Sequence, residues 1–148
     1  MIALDTNILV HAHRQDSPFH AAALDTLERL GNDSRPWAIP WPCVHEFLSI
    51  VTHPRIYVPP SPISTALDFL ENWLASPSLV LIAEGETHFP QLASLARKAR
   101  LAGPRIHDAR IAALCLSHGV DVLYTADRDF SRFPQLKTHN PLLEGEDE

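Results

Sequence analysis

Apolar runs of strand length alternate with stretches of helical period along the whole chain. The runs are residues 2–4, 37–40, 79–82 and 121–125, and residues 136–139 offer a last edge strand. Residues 6–13 follow the first run directly with a helical pattern. Ser17-Pro18 predicts a second helix, with a cap and then a proline in the first turn. Phe19, Ala23, Leu27 and Leu30 share its apolar face until Gly31-Asn32 ends it. The third helix runs over 42–52, with Cys43, Val44, Phe47, Leu48 and Val51 on one side. A Pro-rich connector, 57–60, leads to Ser61-Pro62, a capped start for a helix whose Ile63, Ala66, Leu67, Leu70 and Leu74 face inward. Two more helices follow, about 88–101 and 107–118, the second stopped by Gly119. This alternation predicts an α/β domain, a mainly parallel central sheet with helices layered on both faces.

A chain of 148 residues suits one such domain, burying roughly 68–70% of its unfolded surface. The expected boundaries are 1–143 for the domain and 144–148 for a solvated acidic tail. No apolar run approaches the ~18 residues of a membrane span. The opening MIALDTNIL lacks the basic segment of a secretory leader. Cys43 and Cys115 lack metal-ligand spacing and read as buried thiols, which fits a cytoplasmic location. The net charge of −6 argues against a polyanionic partner until its distribution is considered. Without the four acids of the tail it is −2, and without five further acids, named next, the remaining surface is +3. That balance is compatible with a phosphate-binding rim.

The five acids occupy positions that folding alone would not choose. Asp5, Asp127 and Asp129 come just after strand-like runs, and in a parallel sheet every such end opens on the same side. Asp108 falls among Ala112 and Cys115 on the apolar side of its helix, while Arg110 points roughly 160° away and cannot neutralise it. Glu46 sits at the border of an apolar face, beside Cys43 and Ile50. Taken singly, Asp5 reads as a helix cap and Glu46 as a snorkelling surface residue. Together they would repel one another unless a hard divalent cation neutralised them, and Mg²⁺ or Mn²⁺ fits oxygen ligands best. The nine histidines lack the paired spacing of a zinc site. Such a pocket suits phosphodiester hydrolysis, in which a cation lowers the pKa of the attacking water. Asn7 could orient a metal-bound water or the neighbouring carboxylate. Arg97, Lys98 and Arg100 form the densest basic cluster and are candidates for steering a polyanion.

Four stretches carry a family resemblance: LDTNIL around Asp5, PWPCVHEFLSIVTHPRI around Glu46, HDARIAAL around Asp108, and YTADRDFSRFPQL around Asp127 and Asp129. In this order and spacing the chain resembles PIN-domain ribonucleases, and among them the VapC-type toxins of toxin–antitoxin pairs. The resemblance implies a three-layer PIN-like fold and a Mg²⁺-dependent endoribonuclease, with Mn²⁺ able to substitute, acting on structured RNA such as tRNA or rRNA. It assigns Asp5 and Asp108 as core metal ligands, has Glu46 and Asp127 complete the acidic quartet, and makes Asp129 a supporting acid. It gives Thr6 and Thr125, with Asn7, the role of ordering waters and carboxylates. It further implies a VapB-type antitoxin partner and a homodimer or a heteromer with that antitoxin. The region 59–100 carries no diagnostic motif and is expected to govern substrate choice. A phosphatase of the haloacid dehalogenase type is set aside, because position seven is Asn7 where that family needs a second Asp. The remaining alternative is a PIN-like module that binds RNA or protein without cutting.

Overall fold

The computed structural model describes residues 1–143, so the expected acidic tail at 144–148 lies outside the described residues. Five parallel strands form one sheet in the order β3-β2-β1-β4-β5. They are β1 (Ile2–Leu4), β2 (Trp37–Pro40), β3 (Leu79–Ile82), β4 (Val122–Tyr124) and β5 (Lys137–His139). Central β1 pairs Ile2 with both Trp37 and Val122, and its Ala3 and Leu4 are wholly buried. A strand covered on both faces must be apolar throughout rather than alternating, which is why IAL can serve in three residues.

The helices are α1 (Thr6–His13), α2 (His20–Asn32), α3 (Trp41–Val51), α4 (Ile63–Leu74), α5 (His88–Ala99) and α6 (Ile106–Ser117). The chain moves outward from β1 through β2 to β3, then crosses back to β4 on the far side of β1. Right-handed crossovers therefore send α1–α2 and α5–α6 to opposite faces, each as a packed pair. α3 packs on α1 and α4. The reversal of direction between β1 and β4 leaves a crevice beyond their carboxyl ends, the place where open α/β sheets bind ligands.

Two helix starts differ from expectation. The turn at Ser17 stands apart from α2: its Oγ accepts from the Phe19 amide at 3.0 Å, and the helix proper begins at His20. Ser61 does not cap α4. Its hydroxyl is held by His13 Nε2 at 2.8 Å and Arg14 Nη1 at 3.2 Å, and α4 begins at Ile63 after Pro62. In both cases a tertiary or local contact takes the hydroxyl that a helix terminus would have used. At the other end of a helix, α5 closes on Arg100 in the left-handed conformation, φ 52°, a position glycine usually fills.

The core joins both layers through Leu4, Ile8, Leu9, Ile39, Phe47, Leu114, Leu123, Phe130 and Phe133. Cys43 and Cys115 are buried free thiols, as expected. Among the described residues no helix is long and apolar enough to cross a membrane. Phe47 shows no exposed surface and meets the ring edges of His13 and Trp73 at centroid distances of 5.4 Å each. Phe47→Ala is expected to destabilise the fold by about 3–5 kcal/mol, read from the shift of the urea midpoint; a loss under 1 kcal/mol would mean that this layer repacks freely.

Candidate functional site

β1 ends in Asp5, whose amide continues the sheet ladder to the Tyr124 carbonyl at 3.0 Å. Its extended backbone turns at once into α1, so the side chain caps that helix, Oδ1 accepting from the Thr6 amide at 2.7 Å. The cap reading is correct and incomplete. Oδ2 also accepts from Thr125 Oγ1 at 2.7 Å and from Asn7 Nδ2 at 3.3 Å, and the Cys43 thiol approaches Oδ1 at 3.6 Å. Four neutral donors surround a carboxylate that is only 5% exposed.

Neutral donors do not replace water for a buried charge. Burial pushes the Asp5 pKa up to about 6; the Thr125 and Thr6 hydrogen bonds oppose the rise and nearby Glu46 adds to it. Asp108, in the first turn of α6, is also raised, first by burial and then by Asp127, Asp129 and Glu46, with Arg105 pulling the other way. The Cys43 thiol goes well up for the same reasons, burial first and the Asp5 charge second, which makes it a donor rather than a nucleophile.

The loop after β4 is organised by the same network. Thr125 Oγ1 accepts from the Asp127 amide at 3.0 Å and from Asn7 Nδ2 at 3.2 Å, while Asn7 Oδ1 accepts from the Ala126 amide at 3.1 Å. Asn7 thus ties the start of α1 to the end of β4. Asp127 Oδ1 accepts from the Asp129 amide at 2.9 Å, turning the chain into the short helical turn 128–132. Thr6 Oγ1 donates to Glu46 Oε2 at 3.2 Å and anchors the acid of α3.

The five expected acids gather at this edge in two overlapping sets. Asp5, Glu46, Asp108 and Asp127 line a cavity of about 190 Å³ together with Thr6 and Asn7. Asp108, Asp127 and Asp129 each offer a carboxylate oxygen within 4.8 Å of the others, close enough to hold a divalent cation. Glu46, Asp108 and Asp129 also border a wider groove of about 790 Å³. An all-oxygen set without imidazole or thiolate suits a hard ion.

The steering cluster lies elsewhere. Arg97, Lys98 and Arg100 are exposed on α5 and its cap, whereas the cations bordering the groove are Arg105 and Arg110. As its helical phase requires, Arg110 ion-pairs with Glu84 and not with Asp108.

Several residues of the site carry no sequence signal of their own. Cys43 reads as core, and only its position three residues before Glu46 hints that both look toward Asp5. Tyr57, in the Pro-rich connector, lines the small cavity, as does His11. The Arg14 guanidinium lies 4.2 Å from the Tyr57 ring centroid and also binds Asp16 at 2.6 Å and the Pro59 carbonyl at 3.1 Å. The connector is fastened to the end of α1.

A model of the PIN domain family matches residues 2–136 of this chain. The chain belongs to the PIN domain family. Ribonuclease VapC43 of Mycobacterium tuberculosis is 35% identical over 142 residues, 96% of each chain. Ribonuclease VapC31 of the same organism is 34% identical over 143 residues, 97% of this chain and 100% of its own. These relatives place the PIN domain among the VapC proteins. Solved structures share its fold. VapBC2 from Rickettsia felis, bound to a promoter DNA fragment, superposes with a TM-score of 0.69 at 22% identity, covering 95% of this chain and 98% of that one. Mycobacterium tuberculosis VapC20, described as a Sarcin-Ricin loop cleaving toxin, gives 0.63 at 14% identity, covering 88% and 93%.

The raised carboxyl of Asp5 has a consequence for the metal-free PIN domain. Its pKa is about 6 in the fold against 3.8 ordinarily, so between those values the native state holds a proton that the unfolded chain releases. The stability it contributes is full below about pH 4, declines as pH rises, and is gone above about pH 6, a swing on the order of 3 kcal/mol. With EDTA present, urea midpoints at pH 4 and pH 7 should differ more for wild type than for Asp5→Asn; equal differences would mean that Asp5 ionises without penalty.

Proposed function

We propose that this PIN domain is a Mg²⁺-dependent endoribonuclease, the toxin of a toxin–antitoxin pair, cleaving structured RNA such as tRNA or rRNA. The observation that carries the reading is the meeting of five carboxylates, 124 positions apart at the extremes, at the carboxyl edge of the sheet, four around one cavity and Asp129 beside Asp108 and Asp127. A set this negative, with two members held above their ordinary pKa, favours a divalent cation as its counter-charge. The names of the relatives point the same way: VapC43 and VapC31 are both called ribonucleases.

The residues that would hold the cation are Asp5 and Asp108, completed by Glu46 and Asp127 with Asp129 in support. A divalent cation supplies Lewis acidity there, lowering the pKa of a water and stabilising the leaving oxygen of a phosphodiester. The chain does the positioning. Thr6, Asn7 and Thr125 fix the Asp5 carboxylate through bonds to both of its oxygens, so its orientation is set before any ligand arrives. Glu46 borders both the cavity and the groove, a position from which its free carboxylate oxygen can take the proton of the attacking water. Arg105 offsets part of the negative charge where the RNA backbone would enter.

The proposed partners are the RNA substrate, a VapB-type antitoxin and a second copy of the chain. VapBC complexes from Rickettsia felis and Salmonella typhimurium, both described as DNA-bound, support the antitoxin. The absence of an apolar spanning helix among the described residues fits action in the cytoplasm.

Purified protein should cut RNA with Mg²⁺ or Mn²⁺ and stop when EDTA is added. Asp108→Asn should abolish cleavage with its far-ultraviolet circular dichroism unchanged; full activity in that variant would sink the site. Thr125→Val, which strips one donor from Asp5, is expected to cost about 10–100-fold in activity. In a thermal melt, Mg²⁺ should raise the midpoint of wild type and leave that of Asp108→Asn nearly unmoved.

A further inference from the structure

The wider groove has two unlike walls. One is formed by α6 and the turn before it, with Arg105, His107 and Arg110. The other is the N-terminal half of α3, where His45 lines the groove one residue before Glu46. Trp41 lies one helical turn behind His45, and the two rings stack with centroids 6.1 Å apart and planes inclined by 26°. Trp41 is 37% exposed, whereas the other two tryptophans, Trp37 and Trp73, are buried at 2% and 8%. Pro40 and Pro42 flank it and fix the backbone on either side, so the indole is presented with little conformational freedom to lose.

We propose that Trp41 and His45 form a stacking platform for an unpaired RNA base beside the phosphate that is cut. The inference rests on the nuclease reading above and adds to it a determinant of RNA binding. The His45 ring on one wall with the exposed Trp41 indole stacked behind it, a guanidinium on the other wall and carboxylates between them match the parts of a nucleotide step. The base has a π-face for the indole, one phosphate lies toward the acids, and its neighbour lies toward Arg105. The two rings stack on each other and both remain exposed, so a base can continue the stack. A paired base, already stacked within a duplex, cannot use it.

The exposed indole is its own reporter. A short single-stranded RNA of mixed sequence, titrated into the Asp108→Asn chain, should quench tryptophan emission, and the same sequence as a duplex should not. Trp41→Phe in that background should lose the quench. In the cleaving protein Trp41→Ala should raise KM roughly ten-fold, Trp41→Phe should restore most of that loss, and His45→Ala should fall between. An unchanged KM in Trp41→Ala would overturn the platform and leave Trp41 as a contact for a protein partner. Quenching that persists in Trp41→Phe would overturn it equally. A protein that quenches but never cuts would refute the nuclease and keep the platform; one that cuts without quenching would do the reverse.

Discussion

A carboxylate held in the interior by neutral donors is the constraint on which this domain is arranged. Asp5 terminates the central strand, caps the first helix and receives bonds from a threonine and a thiol that lie far away in sequence. Each of these contacts would be ordinary alone. Their sum is a negative charge that the fold orients but does not neutralise, and that imbalance is what gives the crevice between β1 and β4 its chemistry. The bracing of Asp5 by Asn7 and Thr125 serves the same end, because it stops the acids from escaping one another by rotating into solvent.

Much of this was legible in the chain. The strands at 37–40 and 79–82 are bounded by proline, serine and acidic residues, and they fall where their apolar runs place them. The acids could be found by their joint placement: three follow strand runs, Asp108 sits on the apolar side of its helix, and Glu46 borders an apolar face. A parallel sheet then brings them together, since its topology puts all carboxyl ends on one edge.

What escaped the sequence depends on partners distant in it. Thr125 and Asp5 are 120 residues apart, Cys43 and Asp5 are 38 apart, and no periodicity records such meetings. Ser61 shows the same limit from the other direction. Its position before Pro62 has the form of a helix cap, yet His13 and Arg14 claim its hydroxyl across 48 and 47 positions. Arg105, in the short helical turn before α6, and Tyr57, in the connector, lie beside the acids in segments where amino-acid pattern carries little about direction. The exposure of Trp41 is likewise a property of how α3 meets its neighbours rather than of the motif around Glu46.

The Arg14 clamp on Tyr57 holds one wall of the smaller of the two spaces at the site. Because the connector is fastened to the same helix that begins with Thr6 and Asn7, the wall of the small cavity and the residues orienting Asp5 move as one body. That chamber, near 190 Å³, has room for an ion and a handful of waters but not for a polymer. The chain of a nucleic acid must stay in the open trench outside, and the seam where Glu46, Asp108 and Ile111 face both spaces is reachable from each. If RNA is cut at these acids, how far it can bend toward that seam becomes a filter on substrates alongside contacts with its bases.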